Sequence, residues 1–250
     1  DRAIPEGTKL RIPNVILPSA PQGEAGAVKE AANLLVNAQN PVIVVDRAAR
    51  TSKGMARIVE FAELINAGVV DQLGRQNFPN RHYLSAEGRV DSLIRNADVI
   101  IGMELTDFWG TVNGIVDNPE HPQSSRIKEG TKLISITSAD LYIRANYQDF
   151  QRFQQVDVPI AADAEATLPS LIEAIRSAMT PANKAMIEKR GEAHKKAREA
   201  GRARMMEAAT LAWDASPIST ARLSAEIWAA IKDHDWALVS RDSSLKNWPH

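Results

Sequence analysis

The 250-residue chain contains no cysteine. Disulfides, thiolate nucleophiles and cysteine-held metals are thereby excluded, and a reducing, cytoplasmic setting suits the composition. No two of the 13 glycines are separated by a single residue. The chain therefore has no G-x-G dinucleotide fingerprint, and a G-x-x-x-x-G-K-[ST] phosphate loop is also missing. Charge of one sign is not in excess: 30 Lys and Arg stand against 31 Asp and Glu, a net charge of −1. No global field draws the chain to nucleic acid or to an anionic membrane surface. No apolar run approaches the roughly 20 residues that a membrane helix needs. The amino terminus, Asp1-Arg-Ala-Ile-Pro5, has neither an initiator methionine nor the charged head and apolar core of a signal peptide. It reads as the start of a piece excised from something longer.

What the chain does have is a series of short, wholly apolar runs. The clearest are Pro41-Val-Ile-Val-Val-Asp46, Asp98-Val-Ile-Ile-Gly102 and Lys132-Leu-Ile-Ser-Ile-Thr137. A strand with one wet face alternates; a strand covered on both faces does not. These runs therefore predict parallel strands sandwiched between helices. Shorter strands are expected at Gly68–Asp71 and Val156–Ile160. Stretches of helical period separate them: Glu24 to Ala38, Lys53 to Asn66 with Ser52 as its cap, Asp91 to Ala97, and about Leu168 to Met179. The alternation predicts an α/β fold, a doubly wound, mainly parallel sheet flanked by helices.

The organisation follows from composition. Residues 1–23 carry four prolines and read as an extended linker, and 24–180 form the central α/β domain. Residues 181–215 read as a helical connector, in which eight Lys and Arg between 184 and 204 are interspersed with glutamates. Paired charges on a solvated helix explain that run better than nucleic-acid binding, since no aromatic side chains accompany it for base stacking. Residues 216–250 restart the pattern with a helix from Ser219 to Ile231 and a strand at Trp236–Ser240. A piece of that size is too small to fold alone.

Ligands of such sheets bind beyond the carboxyl ends of the strands. The loop after the first strand, Asp46-Arg-Ala-Ala-Arg50, has no glycine, so its side chains obstruct a pyrophosphate. Arg47 and Arg50 are there either as phosphate partners or as plain surface arginines. Gly74 and Gln76 follow the second strand, and Gly102 and Glu104 open the loop after the central one. That loop also holds Asp107, Phe108 and Trp109. It is either a ligand wall or an interface whose aromatics bury against another domain or subunit. Glu104 and Asp107 are close enough in sequence to share a proton. The histidines show no metal-binding spacing, and no nucleophile motif occurs. No catalytic constellation and no metal site can be assembled.

At these loops the chain resembles the central domain of thiamine-diphosphate-dependent enzymes of the acetolactate synthase type. The similarity lies in Asn40-Pro-Val-Ile-Val-Val45, Arg57 to Val70, Gly74-Arg-Gln-Asn-Phe-Pro79 with His82, Asn96-Ala-Asp-Val-Ile-Ile-Gly102, and Val158-Pro-Ile with Asp163-Ala164. It implies a Rossmann-like central domain from a homo-oligomeric enzyme acting on 2-oxo acids by carboligation or decarboxylation. Such an enzyme uses thiamine diphosphate and Mg2+. The segment from Ser216 to Asp242 is similar to the entry of the family's pyrophosphate domain, so Asp242, Ser243 and Ser244 are expected near the diphosphate. The remainder of that domain and the pyrimidine domain are expected as partners, without which the chain is inactive. Two departures, Asp46-Arg-Ala-Ala49 in place of glycines and Ser135-Ile-Thr-Ser138 in place of an acid, argue against FAD or ADP in this domain. The rival reading is a non-catalytic adenine-nucleotide or interaction module, with Gly74, Gln76, Gly102 and Glu104 lining its pocket.

Overall fold

The computed structural model describes residues 7–9, 13–16, 18–72, 77–115, 123–139 and 152–237. Its centre is a five-stranded parallel sheet built from β1 (Pro41–Val45), β2 (Gly68–Asp71), β3 (Val99–Met103), β6 (Lys132–Ile136) and β7 (Val158–Ile160), in the order β2-β1-β3-β6-β7. The three long apolar runs thus lie side by side and parallel, as expected. Helices cover both faces, which explains why the runs do not alternate. Ile43, Val45, Ile101 and Ile134 face α1 (Ala25–Asn37), α2 (Ser52–Ile65) and α5 (Ala164–Ala178) in one buried cluster. Val42, Val44, Ile100 and Leu133 join Ile94 of α3 (Val90–Asn96) and Phe108 of α4 (Phe108–Val112) in the other. A small antiparallel hairpin, β4 (Asn113–Ile115) with β5 (Gln123–Ser125), stands apart from the main sheet.

Several boundaries differ from the sequence reading, each for a local reason. The cap of α2 is Thr51, whose side chain accepts from Gly54 N–H, so Ser52 is already helical. Helix α5 begins at Ala164 rather than near Leu168, because Asp163 caps it by accepting from Ala166 N–H. Pro169 lies inside this helix. Strand β7 begins at Val158, not Val156. The strand expected at 236–240 is not seen at residues 236 and 237, and its remainder lies outside the described residues.

Helix α6 (Pro181–Thr210) is 30 residues long and opens with a capping box between Thr180 and Asn183. Its distal part is mostly exposed. Its first half instead buries Ile187, Arg190 and Gly191 against the domain. Gly191 permits that contact: a Cβ there would fall 2.7 Å from Asn66 Nδ2. Helix α7 (Thr220–Ile231) follows, capped by Ser219.

His194, one turn further along α6, sits half-buried with its ring nitrogen 3.4 Å from Arg89 Nη1. Burial, then the charges of Arg89 and Arg190, pull its pKa down to about 4. An unfolded histidine binds its proton near pH 6.5. As pH falls from about 6.5 towards 4, the unfolded chain takes up that proton and the folded chain does not, so stability falls across this window. We expect His194→Gln to flatten the dependence of the urea midpoint on pH between those values. A wild-type profile already flat there would remove His194 as the cause.

Candidate functional site

The chain runs from β1 through α2 to β2, then returns through α3 to β3 on the opposite side of β1. The strand order therefore reverses between β1 and β3, the crevice where ligands of doubly wound sheets bind. In this protein the crevice is held shut by its own side chains. Asp46, at the end of β1 and wholly buried, accepts at Oδ2 from Thr106 N–H (3.1 Å) and Thr106 Oγ1 (2.5 Å). Its backbone carbonyl accepts from Asn77 Nδ2 at 2.5 Å. Asn77, itself buried, also donates from Nδ2 to Asp71 Oδ1 (2.9 Å) and from its N–H to Asp71 Oδ2 (2.8 Å), while its Oδ1 accepts from Ala49 N–H (2.8 Å). The loops after β1 and β2 are thus pinned together by one amide side chain.

Glu104 closes the crevice on the other side of β3. Its φ of +51°, unusual for a residue with a side chain, turns the chain so that the carboxylate reaches across β6. There it accepts from Thr137 Oγ1 (3.1 Å), Ser138 N–H and Oγ (3.1 Å each) and Ala164 N–H (2.9 Å). Ala164 is the first residue of α5. Helix amino termini attract anions through free N–H groups and the helix dipole, and here the anion is the protein's own glutamate. The same substitution occurs at α2. Glu165 accepts from Arg50 N–H (2.8 Å) and from Thr51 Oγ1 (2.6 Å), lying over Gly54 in the first turn. Arg50 in turn pairs with Asp163 at 2.5 Å.

The sequence candidates can now be placed. Glu104 is at the expected edge, but as a buried staple (9% exposed) rather than a ligand wall. Gly102 is also there, yet its bare Cα makes room for the chain itself, since a Cβ would sit 2.6 Å from Leu105 Cδ1. Phe108 and Trp109 are buried within this chain, which corrects the interface reading of the loop, and Phe108 joins the core beneath the sheet. Asp107 caps α4 by accepting from Gly110 N–H (2.8 Å), and none of its hydrogen bonds goes to Glu104. Thr137 and Ser138, which stand where the resemblance implied an acid, are bonded to Glu104. Arg50 is an ion-pair partner, and Arg47 lies exposed. Gly74, Gln76, Asp242, Ser243 and Ser244 lie outside the described residues. Sequence reasoning missed Asn77 and Glu165 as organising residues. Glu165 left a trace in Asp163-Ala-Glu165, an acidic helix start, and Asn77 in the Gly74–Pro79 loop, where it was quoted but given no role.

This edge fixes loops rather than moving protons. Asp46, Asp71, Glu104, Asp163 and Glu165 crowd one end of the sheet, and each is engaged by donors from neighbouring loops or helix starts. Among the described residues no cluster of His, Asp and Glu is arranged to hold a metal ion. Also among them, no helix is long and apolar enough to cross a membrane.

Comparison with known proteins places this geometry. Residues 28–171 match the family model described as thiamine pyrophosphate enzyme, central domain. A curated relative, the 3D-(3,5/4)-trihydroxycyclohexane-1,2-dione hydrolase of Clostridium perfringens, is 26% identical over 122 residues, covering 45% of this chain and 19% of the relative. Among solved structures, benzoylformate decarboxylase from Polynucleobacter necessarius is similar at 19% identity and a TM-score of 0.46, covering 67% of this chain and 31% of that one. A putative thiamin diphosphate-dependent enzyme from Mycobacterium smegmatis is similar at 18% identity and a TM-score of 0.45, covering 64% and 30% respectively. The chain therefore spans about a fifth of the curated relative (19%) and under a third of either structure (31% and 30%).

Proposed function

This chain belongs to the thiamine pyrophosphate enzymes and carries their central domain, and on that footing we propose that the domain is a nucleotide-free scaffold. One observation carries the reading. The amino termini of α2 and α5 and the crevice between β1 and β3, where a bound nucleotide would rest its phosphates, are filled by Glu165, Glu104 and Asp46. A phosphate approaching that edge meets carboxylates already holding the donors it needs, and like charges repel in a region shielded from water.

Thiamine diphosphate does not fit the described residues for the same reason, so no step of its chemistry is assigned to them. The cofactor's carbanion chemistry requires a diphosphate and Mg2+ site, and among the described residues no cluster of acids and histidines is arranged to hold a metal ion. In this reading the site is made by pyrimidine and pyrophosphate domains of the same homo-oligomeric, cytoplasmic enzyme, with Asp242, Ser243 and Ser244 approaching the diphosphate. The reaction is carboligation or decarboxylation of a 2-oxo acid, acetolactate-synthase-like. The likeness of Gly74–Pro79 and of the segment after Ser216 to that type supports it.

The test is a thermal melt of the 250-residue chain with ADP, with FAD, and with thiamine diphosphate plus Mg2+. A ligand present at a hundredfold excess over its Kd adds about 2.7 kcal/mol, several degrees in a chain of this size. We expect no shift with any of the three, and no consumption of pyruvate by the chain alone. A clear shift with ADP that phosphate-free adenosine also gives would assign the adenine-nucleotide module instead, and turnover by the isolated chain would overturn the scaffold reading.

A further inference from the structure

A second site lies away from the sheet edge, where α6 crosses the turn that leads into α3. The cleft there has a volume of about 250 Å3 and is lined by Arg89, Arg198 and Arg204 with one acid, Glu87. Three guanidinium groups against one carboxylate leave a local excess of two positive charges. This chain is otherwise balanced at −1 overall, so the concentration is local.

The three arginines are not equivalent. Arg198 is largely buried and committed, bonded to Asn80 O (2.8 Å) and Glu87 Oε2 (2.9 Å). Arg89 is held in place through Nη2, which donates to Ser85 O (2.7 Å) and Tyr83 O (3.2 Å). Its Nε–H is buried and has no acceptor among the described residues. A buried, unmatched donor on a cation costs free energy that an anion would recover. Burial and the charge of Arg198 both lower the pKa of Arg89, so the two guanidiniums are held together against their repulsion. Arg204 is exposed on the distal half of α6 and can swing towards the cleft. The remaining wall is apolar, contributed by Ala197, Met205 and Ala208. Gly88 and Gly201 leave it open, since a Cβ on either would meet nothing within 4 Å.

We propose that this cleft binds a small organic phosphate, its dianion between Arg89, Arg198 and Arg204 and its short apolar part against Met205 and Ala208. Guanidinium forks match phosphate oxygens in pairs, which favours phosphate over a point-like anion. The apolar wall and a volume several times that of one phosphate group favour a carbon-bearing ligand over the free ion. Bound there, the ligand braces α6 against the turn at 87–89. It thus couples α6 to the sheet at a place distinct from the carboxylate-filled edge.

The test is calorimetric titration of the 250-residue chain at low ionic strength with phenyl phosphate, inorganic phosphate and phenol. Saturable binding of phenyl phosphate is expected, weaker binding of inorganic phosphate, and none of phenol. Arg204→Glu, at an exposed position remote from the core, should weaken phenyl phosphate at least about tenfold. Equal affinity for the two phosphates would overturn the apolar part of the assignment. Phenol binding, unaltered affinity in Arg204→Glu, or no saturation by about 10 mM ligand would overturn the site. The Arg89 Nε–H resonance gives a readout that needs no variant: it should move on saturation with phenyl phosphate, and an unmoved resonance would count against the site equally.

Discussion

Arg190→Ala should be among the most destabilising single substitutions in this chain, lowering stability by about 3 kcal/mol and the melting midpoint by about 6–12 °C. The guanidinium of Arg190 donates to Ala38 O (2.7 Å), Gln39 O (3.1 Å), Asn66 O (3.2 Å) and Ile65 O. Ala38 is the carboxyl cap of α1, and Asn66 that of α2. One side chain from α6 therefore satisfies the carbonyls that two helices leave unpaired at their ends, with a charge of the sign their dipoles favour. Burial opposes this by pulling its pKa down to about 10, offset in part by the nearby Asp98 carboxylate. The group nonetheless stays charged at neutral pH. Removing it leaves several buried carbonyls without donors. Arg190→Lys should recover less than half of the loss, because an ammonium cannot fork between two helix ends. Urea denaturation decides the matter: an Arg190→Ala variant within about 1 kcal/mol of wild type would mean that α6 is held chiefly by its other contacts, those of Ile187, Gly191 and Arg198 among them.

Glu104→Gln should cost about 2–4 kcal/mol although it preserves size and shape. The carboxylate takes four donors, from Thr137, Ser138 (twice) and Ala164. An amide offers one oxygen, and its NH2 would face donors where the second oxygen was. Ser138 N–H or Ala164 N–H then loses its partner in a buried place. Ser138→Ala removes one hydroxyl donor and leaves the carboxylate with the others, so it should cost only about 1 kcal/mol. The ratio of the two separates a carboxylate staple from simple packing. Equal effects of the two substitutions would sink the staple, and with it the argument that α5 is closed to phosphate.

Much of the architecture was legible because its determinants are local. Pro41–Val45, Val99–Met103 and Lys132–Ile136 read as doubly covered strands since both of their faces are buried, and the structure buries them on both faces. Helices α1, α2 and α5 showed their buried stripes at helical period. Helix α4 and the β4–β5 hairpin escaped notice. A five-residue helix and two three-residue strands are too short to express a period. Only the start of α4 fell within the loop read after the central strand, and the hairpin was given no reading. The site was legible only by position. Gly102 and Glu104 were found at the right edge because strand ends are where such sheets bind ligands, but what they do there was inverted. Glycine stood for ligand access and made room for Leu105; a carboxylate stood for a ligand contact and took the ligand's place.

Residue types and short-range spacing were enough to establish the absence of thiol chemistry and of glycine-rich phosphate loops, the parallel sheet covered on both faces, and the likeness to thiamine-diphosphate enzymes. Each of these rests on residue identity or on a pattern within a single element. Where the charges went was settled only in the folded chain. Glu104 meets Ala164 from 60 residues away, Arg50 meets Glu165 across 115, and Arg190 reaches Ala38 across 152. Whether a carboxylate faces water, a ligand or a helix amino terminus depends on which distant segment the fold brings to it, and no local pattern encodes that meeting.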